Sequence, residues 1–263
     1  MSQGFRLPQI LEIARIEGKV TVEGLAEHFG VTVQTIRRDL AELDDAGKLE
    51  RVHGGAILRS GTVNIGYQER RALLAEEKRS IARACAAAIP EGASIFLNIG
   101  TSTEAVAREL TRHSSLMVVT NNMNVANILA ENPACQVIVT GGTLRRSDGG
   151  LIGNLTEAVI RQFRFDLAVI GCSALDNDGD MLDYDIEEVG VSRTILGQAR
   201  KSWLVADHSK FQRTAPARIG SLERIDSFFT DRPLPASLAA RCEDWSTQVV
   251  VARRDTGHDD APA

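Results

Sequence analysis

Gly100-Thr101-Ser102-Thr103 follows the apolar run Ser94–Leu97 and opens a helical pattern that continues from Glu104 to Leu110. A glycine and three hydroxyl residues at a helix start gather backbone N–H donors, side-chain hydroxyls and the positive end of the helix dipole. That combination seats a phosphate. A second stretch, Val33 to Leu43, carries different chemistry. At 100° per residue, Val33, Ile36, Leu40 and Leu43 cluster on one face, while Gln34, Thr35, Arg38 and Glu42 occupy the other. Arg37 and Asp39 fall on the flanks. Arg pairs bidentately with guanine and Gln with adenine, so the polar face suits base edges, and Arg37 suits a phosphate.

The elements around this second stretch read as short helices. The first runs from Leu7 to Glu17, with Pro8 in its first turn and Gly18 as its stop. The second starts near Thr21 as N-cap and ends at Gly30. Thr32 caps the third, which reaches about Ala46 with Gly47 beyond it. This is a helix-turn-helix arrangement. LERVHGGAIL, Leu49 to Leu58, then reads as two strands around Gly54-Gly55, a wing whose Arg51 and His53 can touch a nucleic-acid backbone or a neighbouring groove. Residues 1–60 hold eight Lys plus Arg and nine Asp plus Glu, so the nucleic-acid reading rests on where the charges sit.

Beyond residue 88 the texture changes. Ser94–Leu97, Leu116–Thr120, Gln136–Thr140, Asp166–Gly171, Ser202–Ala206, Ser227–Thr230 and Gln248–Val251 are short runs rich in Val, Ile and Leu. Helical patterns separate several of them. That order predicts an α/β domain with a mostly parallel sheet covered by helices on both faces. Ligands of such sheets bind outside the carboxyl ends of the strands. Those ends carry Asn98 with Gly100, Thr101, Ser102 and Thr103, then Asn121-Asn122, Gly141-Gly142, Gly150, Ser173, and Asp207 with Lys210. Together they predict a small, phosphorylated, hydroxylated ligand, with Lys210 as the cation. The expected division is a winged helix-turn-helix over 1–60 and a linker and connecting helix over 61–88. A ligand domain over 89–252 and a disordered tail over 253–263 complete it. The connecting helix, Tyr67 to Ala88, carries Arg70 and Arg71.

Composition narrows the function further. The chain has 263 residues with a formal charge of −5, which argues against coating nucleic acid by bulk charge. Aromatic residues make up 5%, little material for stacking on single strands. No apolar run approaches the ~18 residues of a membrane span, and the opening MSQGFRLPQI lacks the pattern of an export signal. Cys85, Cys135, Cys172 and Cys242 lie far apart with no CxxC pair, so neither a zinc site nor a disulfide framework is expected. The reading is a cytoplasmic protein without metal or cofactor.

VTVQTIRRDL followed by LERVHGGAIL resembles the winged helix of the DeoR family of bacterial repressors. The resemblance implies that Gln34, Thr35, Arg37 and Arg38 meet double-stranded operator DNA; Thr32, Arg51 and His53 complete the candidate contact set. Gly24 stands where a helix former is common in the family, at a cost of about 1 kcal/mol of local helix stability. The likeness continues to about Val251 through TNNMNVANIL, GGTLRRSDGGLIG, GCSALDNDGD and VADHSKF. It implies a sensor domain similar in fold to ribose-5-phosphate isomerase. It also implies a repressor of glycerol or carbohydrate metabolism that self-associates as a dimer or tetramer and takes glycerol 3-phosphate as inducer. Asn98 stands where the family commonly has Asp, Ser102 where it has Thr, and Ala174-Leu175 where it has Gly-Ile.

The rival reading is a sugar-phosphate isomerase fused to a DNA-binding module. Isomerisation needs a carboxylate base beside the substrate carbon. The acidic stretch of the isomerase falls here on Ile170 to Ala174, with no carboxylate before Asp176. Asp183, Asp185, Glu187 and Glu188 are candidates for such a base, but their pattern also suits the polar start of a helix. An architectural DNA-binding protein would leave the whole α/β domain without a role. The expectation is therefore a regulator and not an enzyme.

Overall fold

The computed structural model describes residues 3–17, 19–58 and 66–252. The expected helix stop at Gly18 and the tail from Arg253 lie outside the described residues. The N-terminal unit comprises α1 (Gln3–Glu17), β1 (Lys19–Thr21), α2 (Val22–Phe29), α3 (Val33–Asp45), β2 (Leu49–Val52) and β3 (Gly55–Leu58). The first helix begins four residues before the expected start, which places Pro8 inside it and not in its first turn. Ile10, Ala14, Leu25, Ile36, Leu40 and Leu43 pack into one core. Rolling α3 would expose its apolar stripe at roughly 1.5–3 kcal/mol per side chain, so the core fixes which face it shows to solvent.

Three features of this unit were not legible beforehand. Strand β1 is too short to show an alternation, yet it pairs antiparallel with β3, with Val20 opposite Ala56. A Cβ on Gly55 would lie 1.9 Å from the Val20 carbonyl oxygen, so that approach requires glycine. Thr21 Oγ1 accepts the Gly24 N–H at 3.1 Å, and a Cβ at position 24 would meet that hydroxyl at 2.8 Å. Gly24 therefore makes room for the cap. Asp39 is not on a solvent flank: it is 1% exposed, and Arg6 Nε donates to its Oδ2 at 2.8 Å, tying α1 to α3.

The expected connecting helix is two helices, α4 (Tyr67–Ala72) and α5 (Ala75–Ala88). They break where Leu73 turns into the core and Leu74 takes a left-handed φ of 52°. Ile81, Ala82 and Cys85 of α5 join one core of the larger domain.

The larger domain continues through β4 (Ser94–Leu97), α6 (Thr101–Glu109), β5 (Leu116–Thr120), α7 (Met123–Leu129), β6 (Cys135–Val139), β7 (Thr143–Arg145), β8 (Gly150–Ile152) and α8 (Asn154–Ile160). Then come β9 (Phe165–Ile170), β10 (Ala174–Leu175), β11 (Asp180–Asp183), α9 (Ile186–Gln198), β12 (Ala199–Val205), β13 (Ala217–Ser221), β14 (Ser227–Thr230), α10 (Ala236–Asp244) and β15 (Gln248–Val251). All seven predicted apolar runs are strands of one parallel sheet in the order β15-β14-β12-β9-β4-β5-β6. Ile95, Leu97, Val118, Val169 and Val205 enter a core on one face. Phe96, Val119, Ala168, Ile170 and Leu204 enter a second core on the other. Both faces are buried, hence the continuous apolar strands.

From β4 the chain moves outward through β5 and β6, then returns to β9 and moves the opposite way through β12, β14 and β15. The direction reverses between β4 and β9, and the crevice outside their carboxyl ends is where such a sheet binds ligands. Two smaller units flank it: the hairpin β7–β8 and the antiparallel sheet β10-β11-β13. Their strands are too short for alternation to announce them. Among the described residues no helix is long and apolar enough to cross a membrane, and no group of His, Cys, Asp or Glu is arranged to hold a metal ion.

Candidate functional site

Helix α3 presents its polar face as the spacing predicts. Gln34, Arg37, Arg38 and Glu42 are exposed, and Thr35 is half-buried. Thr32 is the N-cap: its Oγ1 accepts the Thr35 N–H at 3.2 Å and lies 2.9 Å from the Thr35 hydroxyl. Its side chain is thereby held to the helix it starts. Arg37, Arg51 and His53 line one groove between α3 and the wing together with Glu23 of α2. Arg38 and Gln34 are not part of that groove. The cations thus divide into a cluster beside the turn of the wing and a separate exposed face at the start of α3.

The second site lies at the reversal point of the sheet. Ile99, Gly100, Thr101 and Ser102 follow β4, and Gly171, Cys172 and Ser173 follow β9; together they line one cavity with Arg70, Asp148, Asp183, Glu188 and Lys210. Gly100 has a φ of 145°, a conformation that L side chains rarely adopt, and it lets α6 begin at the cavity wall. Thr101 Oγ1 donates to the Arg70 carbonyl at 3.5 Å. Lys210 arrives on the 3-10 turn His208–Gln212. It is 8% exposed, and no hydrogen bond or ion pair to its ammonium exists among the described residues. Burial, with Arg213 adding, lowers Lys210 to about 8. Burial likewise lowers Lys78, on α5, to about 8. Lys210 is thus a buried ammonium with no direct hydrogen bond or ion pair among the described residues, lining the cavity with the start of α6 and lying in the field of Asp207.

Asp207 lies beneath these lysines and outside the cavity lining. Its Oδ1 accepts the Ser209 N–H at 3.0 Å and the Ser209 hydroxyl. Burial opposes its ionisation, but Lys210 and Lys78 outweigh that and hold the carboxyl below its usual range. Cys172 is pushed up to about 12 by burial, so its thiol stays neutral and is no nucleophile.

The opposite wall is acidic and organised by Arg145. Its guanidinium donates to Asp148 at 2.9 and 2.7 Å, to Asp185 at 2.7 Å and to Glu188 at 2.6 Å. Arg70 Nη2 also reaches Asp148, at 3.2 Å. Asp185 is the N-cap of α9, as the polar run suggested. Burial, then the Asp183 charge, pushes Glu188 up to about 7.

Of the residues expected to meet a ligand, the cavity gathers Gly100, Thr101, Ser102, Ser173 and Lys210. Several others support it from behind. Asn98 donates to Ser192 Oγ at 2.9 Å and accepts the Ile99 N–H at 2.7 Å. Thr103 donates to the carbonyls of Asn98 and Gly100. Gly150 packs where a Cβ would lie 2.5 Å from Ile99 Cδ1. Asn121 and Asn122 clamp the β7–β8 hairpin and cap α7: Asn121 Nδ2 donates to Leu151 O at 3.1 Å, and Asn122 Oδ1 accepts the Asn124 N–H at 2.9 Å. Gly141 accepts from Thr156 Oγ1 at 2.8 Å, and a Cβ on Gly142 would meet that hydroxyl at 2.0 Å. These four lie outside the cavity lining. Arg70 and Asp148 were not expected in the ligand site, and Asp183 and Glu188 were weighed only as bases of the rival enzyme reading, because these four come from a connector, a hairpin, a side sheet and the start of α9. Their one sequence signal is the density of carboxylates between Asp183 and Glu188.

Residues 6–62 match the DeoR-like helix-turn-helix domain, and residues 74–232 match the DeoR C terminal sensor domain. The glycerol-3-phosphate regulon repressor of Escherichia coli (strain K12) is 45% identical over 249 residues, which are 95% of this chain and 99% of that protein. The glycerol-3-phosphate regulon repressor of Haemophilus influenzae is 41% identical over 251 residues, 95% of this chain and 98% of its own. A ribose 5-phosphate isomerase A from Neisseria gonorrhoeae aligns over 51% of this chain and 52% of its own, with a TM-score of 0.39 and 14% identity. The relatives matched along their whole length are repressors, not enzymes. With both domain types present in order and a reading helix beside a wing, this chain belongs to the DeoR family and is a DNA-binding transcriptional repressor.

Proposed function

We propose that the protein holds paired operator half-sites as a homo-oligomer in the cytoplasm and is released by a phosphorylated three-carbon polyol, glycerol 3-phosphate. The observation that carries this reading is Lys210, a buried ammonium with no direct hydrogen bond or ion pair among the described residues, lining one cavity with the start of α6. The phosphate sits on Gly100, Thr101 and Ser102 with Lys210 as its cation. The choice of glycerol 3-phosphate is supported by the whole-length likeness to the two repressors of that regulon. The genes under control are those of glycerol or carbohydrate use.

The cavity is partly open to solvent, with about 40 Å3 of space within it, room for a few waters. In this reading effector binding shifts one wall. Helix α4 is the wall that leads towards the winged helix: it has six residues, buries none of them and is held through polar ties. The donors that now serve the Arg70 carbonyl, Thr101 Oγ1 and Lys78 Nζ, are ones an incoming phosphate competes for. Helix α4 leads to the winged helix, and α1 of the winged helix lies against the turn that carries Lys210. Effector entry thus acts on both elements that reach the DNA-binding unit. A coupling of roughly 1–3 kcal/mol changes operator affinity ~5- to 150-fold.

Isothermal titration of the full chain with glycerol 3-phosphate, glycerol, ribose 5-phosphate and inorganic phosphate tests the reading, alongside release of a labelled promoter fragment. Saturable binding with release by glycerol 3-phosphate supports it. Preference for another sugar phosphate keeps the mechanism and changes the regulon. No binding of any phosphate by the folded chain overturns it.

A further inference from the structure

We infer that Asp183 is the residue by which the effector site admits a phosphate whose far end is a hydroxyl and rejects one whose far end is a carboxylate. The inference rests on the phosphate lying at Gly100–Ser102 and Lys210.

Asp183 closes β11 and is 3% exposed, yet it lines the same cavity as the anion seat. Its Oδ1 accepts the backbone N–H of Tyr184 at 2.7 Å and that of Asp185 at 3.4 Å. No Arg or Lys is paired with it among the described residues. The neighbouring carboxylates differ: Asp148, Asp185 and Glu188 are all held by Arg145. Asp183 is therefore the acidic acceptor of this wall whose second oxygen remains for something in the cavity. A carboxylate oxygen accepts and does not donate, so its partner must bring a hydrogen. A ligand hydroxyl does; a ligand carboxylate does not. The wall already resists a second negative charge, since Asp183 helps hold Glu188 at about 7. A carboxylate on the ligand would meet the same repulsion without Arg145 to offset it.

Glycerol 3-phosphate and 3-phosphoglycerate share three carbons and a phosphate, and differ in a terminal CH2OH against COO−. Titration of the full-length protein with each, and with inorganic phosphate, is the test. The wild type should bind glycerol 3-phosphate at least about tenfold more tightly than 3-phosphoglycerate. Asp183→Asn keeps an oxygen for the two backbone N–H groups and removes the charge. It should lose about tenfold or more for glycerol 3-phosphate, gain for 3-phosphoglycerate, and leave inorganic phosphate within about twofold. A variant that is merely distorted would weaken all three together. Wild-type protein that binds the two three-carbon phosphates equally overturns the inference without any variant. An unchanged ratio in Asp183→Asn overturns it too. If Thr101→Glu leaves inorganic phosphate binding intact, the phosphate lies elsewhere, and the placement of Asp183 at its far end falls with that seat.

Discussion

Lys78 of α5 donates its ammonium to the carbonyl oxygen of Arg70, and to that of Leu73 at 2.5 Å. The last turn of α4 is thus held by a lysine that burial has already lowered to about 8. Two more ties hold the same helix to the larger domain: Arg70 to Asp148 at 3.2 Å, and Tyr67 to Glu104 at 2.9 Å. The connector is pinned to the larger domain beside the effector cavity, and Lys78 is the pin nearest the break before α5.

Lys78→Met should therefore uncouple the two ends of the protein. The methionine fills the same space without a donor, so Arg70 O and Leu73 O lose their partner and α4 loosens. Operator affinity measured by fluorescence anisotropy should fall ~5- to 150-fold without effector, and effector should lower it little further. The fold should persist, because the substitution also removes a buried ammonium. Wild-type operator affinity with normal release would show that Lys78 plays no part in the coupling.

Thr101→Glu probes the anion seat from within. The new carboxylate takes the position proposed for the phosphate, beside Lys210, which makes no direct ion pair among the described residues. The expected protein binds operator with wild-type affinity and does not release it with effector. Calorimetry should show effector binding lost. Unchanged induction would move the site elsewhere.

How much of this was legible beforehand divides by physical cause. The inner strands, buried on both faces, must be apolar along their length, and the half-buried edge strands β6 and β15 keep the same Val and Ile composition, so all seven strands of the parallel sheet announced themselves. Helix caps also read through, because Thr21, Thr32 and Asp185 satisfy backbone donors that only such side chains reach. Short strands did not: two to five residues leave no period to detect, so β1, the hairpin and the β10-β11-β13 sheet were invisible. The site divided in the same way. Gly100, Thr101 and Ser102 follow a strand directly and could be read from it. Asp148 and Asp183 reach the cavity only through those short strands. Asn121 and Asn122 have the residue types of a ligand site, but their side chains are taken up by the backbone of the hairpin and of α7.

The lysines give the effector response a pH dependence whose sign follows from their direction. Burial lowers Lys210 and Lys78 from 10.5 to about 8. A phosphate binds the protonated forms, which are fully populated only below that value. Above about 8 each lysine must take up a proton to bind, so affinity falls by up to about tenfold per pH unit for each lysine involved. A phosphate monoester is a dianion above about 6, which places the optimum between about 6 and 8. Calorimetry at pH 7.5 and 9.5 should show the fall, and Lys210→Arg should flatten it because a guanidinium keeps its proton. An affinity equal at both values would remove the lysines from the seat.

Arg37 and Arg38 are neighbours in sequence, and one helical step separates their tasks. Arg37 lines the groove at the turn of the wing with Arg51 and His53, the position we propose for backbone contact. Arg38 stands with Gln34 on the exposed face opposite Ile36 and Leu40, the face we propose for base edges. Arg37→Ala should then weaken binding about equally on operator and unrelated DNA and reduce the salt slope by about one. Arg38→Ala should cost about 1–3 kcal/mol per lost base contact on operator, change unrelated DNA far less, and leave effector binding intact. Anisotropy titrations on both DNAs at several salt concentrations separate the two. Equal losses for both variants on both DNAs would mean that the two arginines act as one phosphate patch, and that base reading rests with Gln34 and Thr35. Loss of effector binding in either variant would point to a misfolded protein, since no residue of α3 lines the effector cavity.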